Sequence, residues 1–258
     1  ILMVTHDESF TSRFTRRLHI ADGELLDSDE IPEASTERKH HRMHVGGANS
    51  ARARGDEDQA PAISLTNVDK IYDGASGKFH ALKSIDLTLN YGQFISIVGK
   101  SGCGKSTLLN MITGIDHPTS GKVLIGGEDI YKLTESQRAL WRGRNMGVVF
   151  QFFQLLPTLT LLENTMLPMD YCNVYKFSER PARAMELLKM VRLEHQAHKY
   201  PTAVSSGQQQ QAAIARALAT DPSIILADEP TGNLDTRAAE NVLSLFESLA
   251  DQGKTVLI

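Results

Sequence analysis

Cysteines and long apolar runs are scarce in this sequence of 258 residues. The two cysteines are Cys103 and Cys172, and Cys103 lies inside a glycine-rich segment where a disulfide would obstruct a bound ligand. Such cysteine usage is typical of a reduced, cytosolic protein and argues against a disulfide-stabilised secreted scaffold. No run approaches the roughly 20 consecutive apolar residues that cross a bilayer. The sequence therefore predicts a chain without a transmembrane helix.

An excess of positive charge is also lacking, because the formal net charge is −4. We therefore expect no nucleic-acid partner that binds through overall positive charge. A secretory signal is not predicted, since no basic segment precedes the apolar residues 1–4 and an acidic stretch follows closely. The residues that are present, 41% hydrophobic and 22% charged, are typical of a domain with a packed core.

The chain divides into three regions of different composition. Residues 1–26 predict a short apolar strand, an amphipathic helix, and a strand with a turn. The apolar face of this helix is formed by Phe10, Phe14 and Leu18. Residues 27–61 are rich in charged residues and glycine, offer little to bury, and predict a flexible charged linker. Residues 62–258 have the patterns of a compact domain.

The third region predicts an α/β fold. Alternating apolar and polar residues at 63–68 and 84–89 indicate two half-buried antiparallel strands. Continuous apolar runs at 94–98 and 223–227 indicate buried strands of a parallel sheet. Helices are predicted at 107–113, 178–191, 208–219 and 237–250, and a last strand at 255–258. This order predicts a parallel core sheet, an antiparallel β subdomain and a helical insertion around residues 169–202.

A glycine-rich loop between a predicted strand and a predicted helix is the strongest motif. Residues 99–106 read GKSGCGKS, which satisfies the pattern of a phosphate-binding P-loop. Gly102 and Gly104 permit the tight turn that aims backbone N–H groups at phosphate oxygens, and the following helix adds its positive dipole end. Lys105 is expected between the β- and γ-phosphates, and the Ser106 hydroxyl on Mg²⁺. The motif predicts a P-loop NTPase fold.

An acidic pair narrows the classes that a P-loop leaves open, which are GTPases, kinases, helicases and transporter motors. Asp228 and Glu229 directly follow the apolar strand at 223–227. At the carboxyl end of that strand, Asp228 is placed to hold the Mg²⁺ shell. Glu229 is placed to orient and deprotonate the attacking water.

Further segments resemble the ATP-binding domain of ABC transporters. Residues 204–211 read VSSGQQQQ and resemble the signature of that family, which contacts the γ-phosphate of ATP bound to the other subunit. Residues 232–235, GNLD, match the family's D-loop, and Gln151 matches its Q-loop glutamine, which contacts Mg²⁺ and the water. Tyr72 matches the aromatic residue that stacks on adenine. The resemblance covers nearly all of residues 62–258.

The resemblance implies a site for ATP and Mg²⁺ with three groups of residues. Its catalytic residues are Glu229, Gln151 and His6. Its nucleotide-binding residues are Tyr72, Gly99, Ser101, Gly102, Cys103, Gly104, Lys105, Ser106, Thr107, Ser205, Gly207 and Gln208. Its metal ligands are Ser106, Gln151 and Asp228.

The segment after Gln151 carries a finer resemblance. Residues 150–160, FQFFQLLPTLT, resemble the macrolide-exporter and lipoprotein-releasing branch of the family. Their apolar side chains predict a docking surface for a membrane permease. The resemblance implies a peripheral subunit on the cytoplasmic side of the inner membrane, which pairs head to tail with a second such domain and powers transport. The alternatives are a soluble, non-transport ABC ATPase and a degenerate nucleotide-binding regulatory module.

Two positions of the signature depart from the family pattern. Ser206 stands where the family has its first glycine, and Gln211 where it has arginine. A side chain at position 206 either strains the contact between backbone and triphosphate or donates its hydroxyl to a phosphate oxygen. We expect hydrolysis to be weakened but not abolished at the site that this signature completes.

The histidine that holds the γ-phosphate in this family is matched only near the start of the sequence. Residues 1–7, ILMVTHD, resemble the strand and histidine that follow the acidic pair, and residues 10–25 resemble the closing helix and strand-turn. Residues 1–26 are therefore interpreted as the tail of a preceding ATPase domain in a tandem polypeptide, or as part of a circularly permuted domain. Both accounts predict that residues 1–26 can pack where the tail of the domain at 62–258 belongs.

Overall fold

The structure, a computed structural model, describes residues 13–26, 60–74, 77–232 and 234–258. The predicted strand at 1–4, His6, and all of the predicted linker except residues 60 and 61 lie outside the described residues. The strands are β1 (Arg16–Ala21), β2 (Glu24–Leu26), β3 (Ile63–Gly74), β4 (Gly77–Leu89), β5 (Phe94–Val98), β6 (Ser120–Ile125), β7 (Met146–Val149), β8 (Ile224–Ala227) and β9 (Thr255–Leu257). The α-helices are α1 (Lys105–Thr113), α2 (Glu135–Asn145), α3 (Leu161–Cys172), α4 (Arg180–Met190), α5 (Ser206–Ala217) and α6 (Thr236–Asp251).

A six-stranded sheet forms the core, in the order β2-β1-β5-β9-β8-β7. All neighbours in this sheet are parallel except β1 and β2, which form an antiparallel pair. Both faces are covered, because Phe94 of β5 packs into one hydrophobic cluster and Ile95 and Ile97 pack into another. Burial on both faces explains the continuous apolar runs of β5 and β8. The predicted α/β fold with a parallel core sheet is confirmed.

A separate three-stranded antiparallel sheet has the order β4-β3-β6. The predicted antiparallel pair is confirmed, but β3 and β4 extend to 12 and 13 residues. Register shifts between Leu65, Val68, Lys70 and Ile71 interrupt the pairing of β3 with β4. A bulge puts two residues opposite one and breaks the alternation of apolar and polar side chains, so the pattern detects only the first half of β3.

The helical part begins earlier than the predicted insertion at 169–202. Helices α4, α5 and α6 lie within two residues of the predicted bounds, whereas α2 and α3 have no counterpart in the sequence analysis. Helix α3 contains Pro168, which interrupts the helical pattern. Helix α2 is strongly polar, and its one fully buried residue is Arg138. None of the helices in the described parts of the chain is long and apolar enough to cross a membrane.

Residues 13–26 join the core sheet as strands. Leu18 is a fully buried residue of β1, so its predicted place on a helix face with Phe14 is wrong. The apolar residues recur every four positions, as in a helix, but parallel pairing of β1 with β5 determines the structure here. The pairing begins at Thr15, whose N–H donates to the Phe94 carbonyl at 2.7 Å. The Phe14 ring packs on the Phe94 ring with centroids 4.7 Å apart.

The turn between β1 and β2 is bonded to the glycine-rich loop and to β4. The Gly23 N–H donates to the Cys103 carbonyl at 3.0 Å, and the Lys83 N–H donates to the Gly23 carbonyl at 2.8 Å. Gly23 has a φ of 82°, and a Cβ atom at this position would lie 2.8 Å from the Ala81 oxygen. The turn therefore tolerates no side chain at residue 23 while it is docked.

We predict that Gly23→Ala destabilises the protein more than Gly92→Ala does. Gly92 has a similar φ of 77°, but no atom lies within 4 Å of the added Cβ. Its substitution therefore lowers the free energy of unfolding only by the strain of alanine in the left-handed conformation, about 1 kcal/mol. At Gly23 the clash also disturbs two backbone hydrogen bonds, which raises the expected loss to about 2–3 kcal/mol. Urea unfolding measures both losses. Equal losses would contradict docking of residues 13–26 on the domain.

Candidate functional site

The glycine-rich loop connects β5 to the first turn of α1. Gly104 precedes the helix with a φ of 112°, and no side chain caps the N-terminus of α1. A Cβ atom at Gly104 would lie 2.6 Å from the Ala81 oxygen, and one at Gly99 would lie 2.3 Å from the Ile20 oxygen. Glycine is therefore required where the loop passes the backbones of β4 and β1. The uncapped N–H groups and the helix dipole make this helix start an anion-binding position.

The side chains of the loop differ in exposure. The Lys105 ammonium donates to the carbonyls of Gly99 and Lys100 at 2.9 and 3.0 Å, so it lies across the loop. Ser101 and Ser106 are exposed, and Thr107 is half-buried. Cys103 is buried, and its N–H donates to the Lys100 carbonyl at 3.2 Å. The predicted binding residues of this loop thus surround the start of α1, and Cys103 supports the conformation of the loop itself.

The acidic pair lies at the carboxyl end of β8. The Asp228 N–H donates to the carbonyl of Val149, the last residue of β7, at 2.9 Å, which continues the pairing of the two strands one residue beyond β8. Glu229 follows with a φ of 46°, a left-handed conformation that is uncommon outside glycine and is concentrated at functional sites. Lys105, Asp228 and Glu229 line one cavity of about 90 Å³. The fold therefore brings the predicted lysine and both carboxylates together.

Gln151 reaches this cluster from the neighbouring strand. It follows β7 by two residues, and its Nε2 donates to Oε2 of Glu229 at 2.7 Å. The two residues are 78 positions apart in the chain and meet because β7 and β8 are adjacent parallel strands. The amide holds the orientation of the carboxylate that was predicted to act on water.

The signature residues lie at the start of α5, away from this cluster. Ser205 caps the helix: its Oγ accepts the Gln208 N–H at 3.3 Å, and the Gln208 side chain accepts the Ser205 N–H at 3.0 Å. Ser206 is exposed as the first residue of the helix, and Gly207 follows it. None of these four residues lines the cavity of Lys105 and Glu229. One chain therefore carries two separate halves of the predicted site.

Tyr72 lies at the end of β3 and is held by residues that the sequence analysis did not single out. Its hydroxyl donates to Asp116 Oδ2 at 2.8 Å, while Lys70 Nζ donates to Asp116 Oδ1 at 2.8 Å and lies 4.6 Å from the centre of the Tyr72 ring. Partial burial, reinforced by Asp116, raises the pKa of the Tyr72 hydroxyl. Asp116 is 44 positions away from Tyr72 in the chain, so no local sequence pattern predicts the contact.

The oxygen donors near the loop suit Mg²⁺ better than a softer metal. Ser106 offers a hydroxyl and Asp228 a carboxylate, and no cluster of three or more His, Cys, Asp or Glu side chains occurs within the described residues. Mg²⁺ is usually bound by one or two carboxylates together with water and substrate phosphates, which fits a sparse oxygen donor set. The predicted catalytic residue His6 lies outside the described residues, as does Asn233 of the segment that matches the D-loop.

Comparisons with known proteins identify this arrangement. A family model described as ABC transporter matches residues 82–232. An ABC transporter ATP-binding protein of Thermotoga maritima is 48% identical over 196 residues, which is 76% of this chain and 83% of that protein. The lipoprotein-releasing system ATP-binding protein LolD of Psychrobacter arcticus is 41% identical over 196 residues, or 76% of this chain and 87% of that protein.

Solved structures agree with these relatives. The dimeric structure of MJ0796, an ABC transporter cassette of Methanocaldococcus jannaschii, matches with a TM-score of 0.72 and 44% identity over 76% of this chain and 86% of that one. A dimeric post-hydrolysis state of the same cassette with ADP and Pi also matches with a TM-score of 0.72, at 43% identity and the same coverage. The chain therefore belongs to the ABC transporter ATP-binding family and is an ATP-hydrolysing subunit of this kind of transporter.

Proposed function

We propose that two such domains, arranged head to tail, form each hydrolysis site of this transporter. One domain supplies Lys105, Gln151 and Glu229, and the other supplies the start of α5. The observation that carries the proposal is the 2.7 Å hydrogen bond between Gln151 and Glu229 beside the cavity that Lys105 also lines. The dimeric structures of the MJ0796 cassette support the pairing.

The start of α5 has the properties of the missing half. Its capping box uses the N–H groups of Ser205 and Gln208, and leaves those of Ser206 and Gly207 without an acceptor among the described residues. Free N–H groups at a helix start, together with the helix dipole, attract a phosphate oxygen. Because this helix start does not line the cavity of Lys105 in its own chain, we assign it to the nucleotide of a second domain.

The residues of the first half have distinct tasks in this proposal. The Lys105 ammonium exchanges its two loop carbonyls for the β- and γ-phosphates. Ser106 and Asp228, with Gln151, would hold Mg²⁺, which neutralises negative charge on the phosphates when bound. The Glu229 carboxylate orients the attacking water and accepts its proton. Tyr72, held by Asp116, stacks on the adenine ring.

Residues 13–26 belong to the catalytic domain in this proposal. The segment contributes β1 beside β5, and the Gly23 N–H binds the Cys103 carbonyl of the phosphate loop. The proposed boundaries therefore keep 1–26 as a closing tail, 27–61 as a linker, and 62–258 as the main part of the domain.

The loop after Gln151 is the proposed contact with a membrane permease. Phe152 exposes 73% of its surface and Leu156 exposes 43%. Exposed apolar side chains at the end of a rigid strand provide a docking surface for a helix of a partner protein. We place the subunit at the cytoplasmic face of the membrane on this basis. The relative LolD, named as part of a lipoprotein-releasing system, supports a membrane partner.

We predict that Glu229→Gln lowers ATP turnover by at least about 100-fold, because an amide cannot accept the proton of the attacking water. ATP binding should be retained, since the P-loop is unchanged. Phosphate release and nucleotide binding by fluorescence measure the two effects. Glu186→Gln, the same change at an exposed residue of α4, is the control and should have the wild-type rate. A wild-type chain that binds ATP but does not hydrolyse it would instead indicate the regulatory module.

Ser206→Gly is expected to raise the turnover of the dimer by roughly two- to tenfold. A rate change of this size corresponds to the free energy of one modest hydrogen bond at the phosphate. The measurement is phosphate release at saturating ATP. Ser206→Ala separates the two explanations of the serine: it resembles wild type if the side chain only obstructs, and it is slower if the hydroxyl binds phosphate. Unchanged turnover after Ser206→Gly would remove the idea that this position limits hydrolysis.

Phe152→Asp is predicted to abolish recovery of the subunit with its permease, because a charge cannot be buried in an apolar interface without a partner. The ATPase rate of the isolated subunit should stay within about twofold, since the side chain is exposed. Co-purification from solubilised membranes measures the interaction. The matched control is Phe177→Asp, another highly exposed phenylalanine outside the loop. Normal recovery of the Phe152 variant would show that docking does not use this loop.

A further inference from the structure

Arg216 is a half-buried cation that the roles described above leave unused. It lies in the last turn of α5, where burial lowers the pKa of its guanidinium. Its Nη1 donates to the Gln154 carbonyl at 2.5 Å and its Nη2 donates to the Phe153 carbonyl at 2.8 Å. The planar fork of an arginine side chain suits such a pair of acceptors, and two bonds fix both position and orientation.

The backbone that carries Arg216 is itself held firmly. The last turn of α5 packs directly on β7, so closely that a Cβ atom at Gly147 would lie 2.5 Å from the Ala217 oxygen. Neighbouring residues of the helix, among them Ala215 and Ala217, are buried in the hydrophobic core. The guanidinium is therefore attached to a fixed point relative to the core sheet.

The segment bound by Arg216 is the end of the loop that carries Gln151. On one side of Gln151, Val149 is held in the sheet, because its carbonyl accepts the Asp228 N–H at 2.9 Å. On the other side, Arg216 binds residues 153 and 154. Gln154 has a φ of 49°, a left-handed conformation that persists only when its surroundings hold it. Gln151 is thus held from both directions while it contacts Glu229.

Space is available for this loop to move when the guanidinium is absent. Arg216, Gln154 and Phe150 line an open surface pocket of about 270 Å³ beside α2, α3 and α5. No protein atoms fill this pocket, so the loop has room to move on that side. Without the two hydrogen bonds, the loop has both the freedom and the space to shift.

We propose that Arg216 is a positioning residue for ATP hydrolysis, which keeps Gln151 on Glu229 by binding the backbone two and three residues further along. This inference rests on the proposed function of Gln151 and Glu229. The same helix carries the signature at its start, so its two ends serve two different nucleotides. One end contacts the partner's ATP, and the other sets the Q-loop of its own domain.

Arg216→Ala is expected to lower kcat roughly tenfold, since small displacements of a catalytic group cost one to two orders of magnitude. The KM for ATP should stay within about twofold, because the P-loop and Tyr72 are untouched. Arg216→Lys should recover part of the loss, since an ammonium can bind one of the two carbonyls. The control is Arg180→Ala, which removes another arginine that donates to two successive carbonyls, those of Val174 and Tyr175, and that does not line this pocket. It should lower the melting temperature without changing kcat.

A double-mutant cycle with Gln151→Ala tests whether Arg216 acts through Gln151. If it does, Arg216→Ala has little further effect on kcat once Gln151 is gone. Additive losses, a loss confined to KM, or an unchanged kcat in the single variant would each overturn the inference. An unchanged kcat in Gln151→Ala would also overturn it. If Arg216→Ala does not fold, Arg216→Lys in the same cycle decides by the same criteria. A wild-type chain without ATPase activity would refute the proposed function itself.

Discussion

Parallel alignment of β5, β9, β8 and β7 is the constraint on which the site depends. Parallel strands bring their carboxyl ends to one edge of a sheet, and the loops that leave this edge carry the P-loop, the acidic pair and Gln151. Adjacent strands are about 4.8 Å apart, so Gln151 after β7 reaches Glu229 after β8 with one side chain. A slip of one residue in the pairing of β7 with β8 would turn both side chains away from each other.

The same sheet supports strained backbone positions in two loops of the candidate site. Glu229 and Gln154 are both non-glycine residues with positive φ, a conformation that costs on the order of 1 kcal/mol each. The bond between Asp228 and Val149 supports the first, and Arg216 supports the second. The first support lies at the ends of β7 and β8. The second comes from α5, which packs on β7. The core therefore stabilises these two loops in conformations that they would not adopt alone.

Sequence patterns predicted those features of the fold that local chemistry determines. Period and apolar runs identified β5 and α6, because each buries a regular set of side chains. They failed where tertiary contacts dominate: Leu18 joins a strand because β5 pairs with it, and α3 is hidden by Pro168. In the candidate site, motifs identified Lys105 and Glu229, which line the same cavity. They did not predict Asp116 or Arg216, whose partners lie 44 and about 60 positions away and depend on the folded topology.

The proposed division of one site between two domains fits the way in which α5 is anchored. The last turn of α5 is packed on β7, and Arg216 in that turn is bound to the loop that follows Gln151. The first turn of α5 is therefore fixed about 15 Å from its last turn, because ten helical residues span this length. Ser205 and Gln208 cap that first turn themselves, and the capped start stays separate from the cavity of Lys105. In the proposed arrangement, the signature therefore stays apart from the nucleotide of its own domain as long as α5 remains packed on the core. A second domain can present its signature without this cost, which makes pairing of domains the route that preserves both the fold and a complete site.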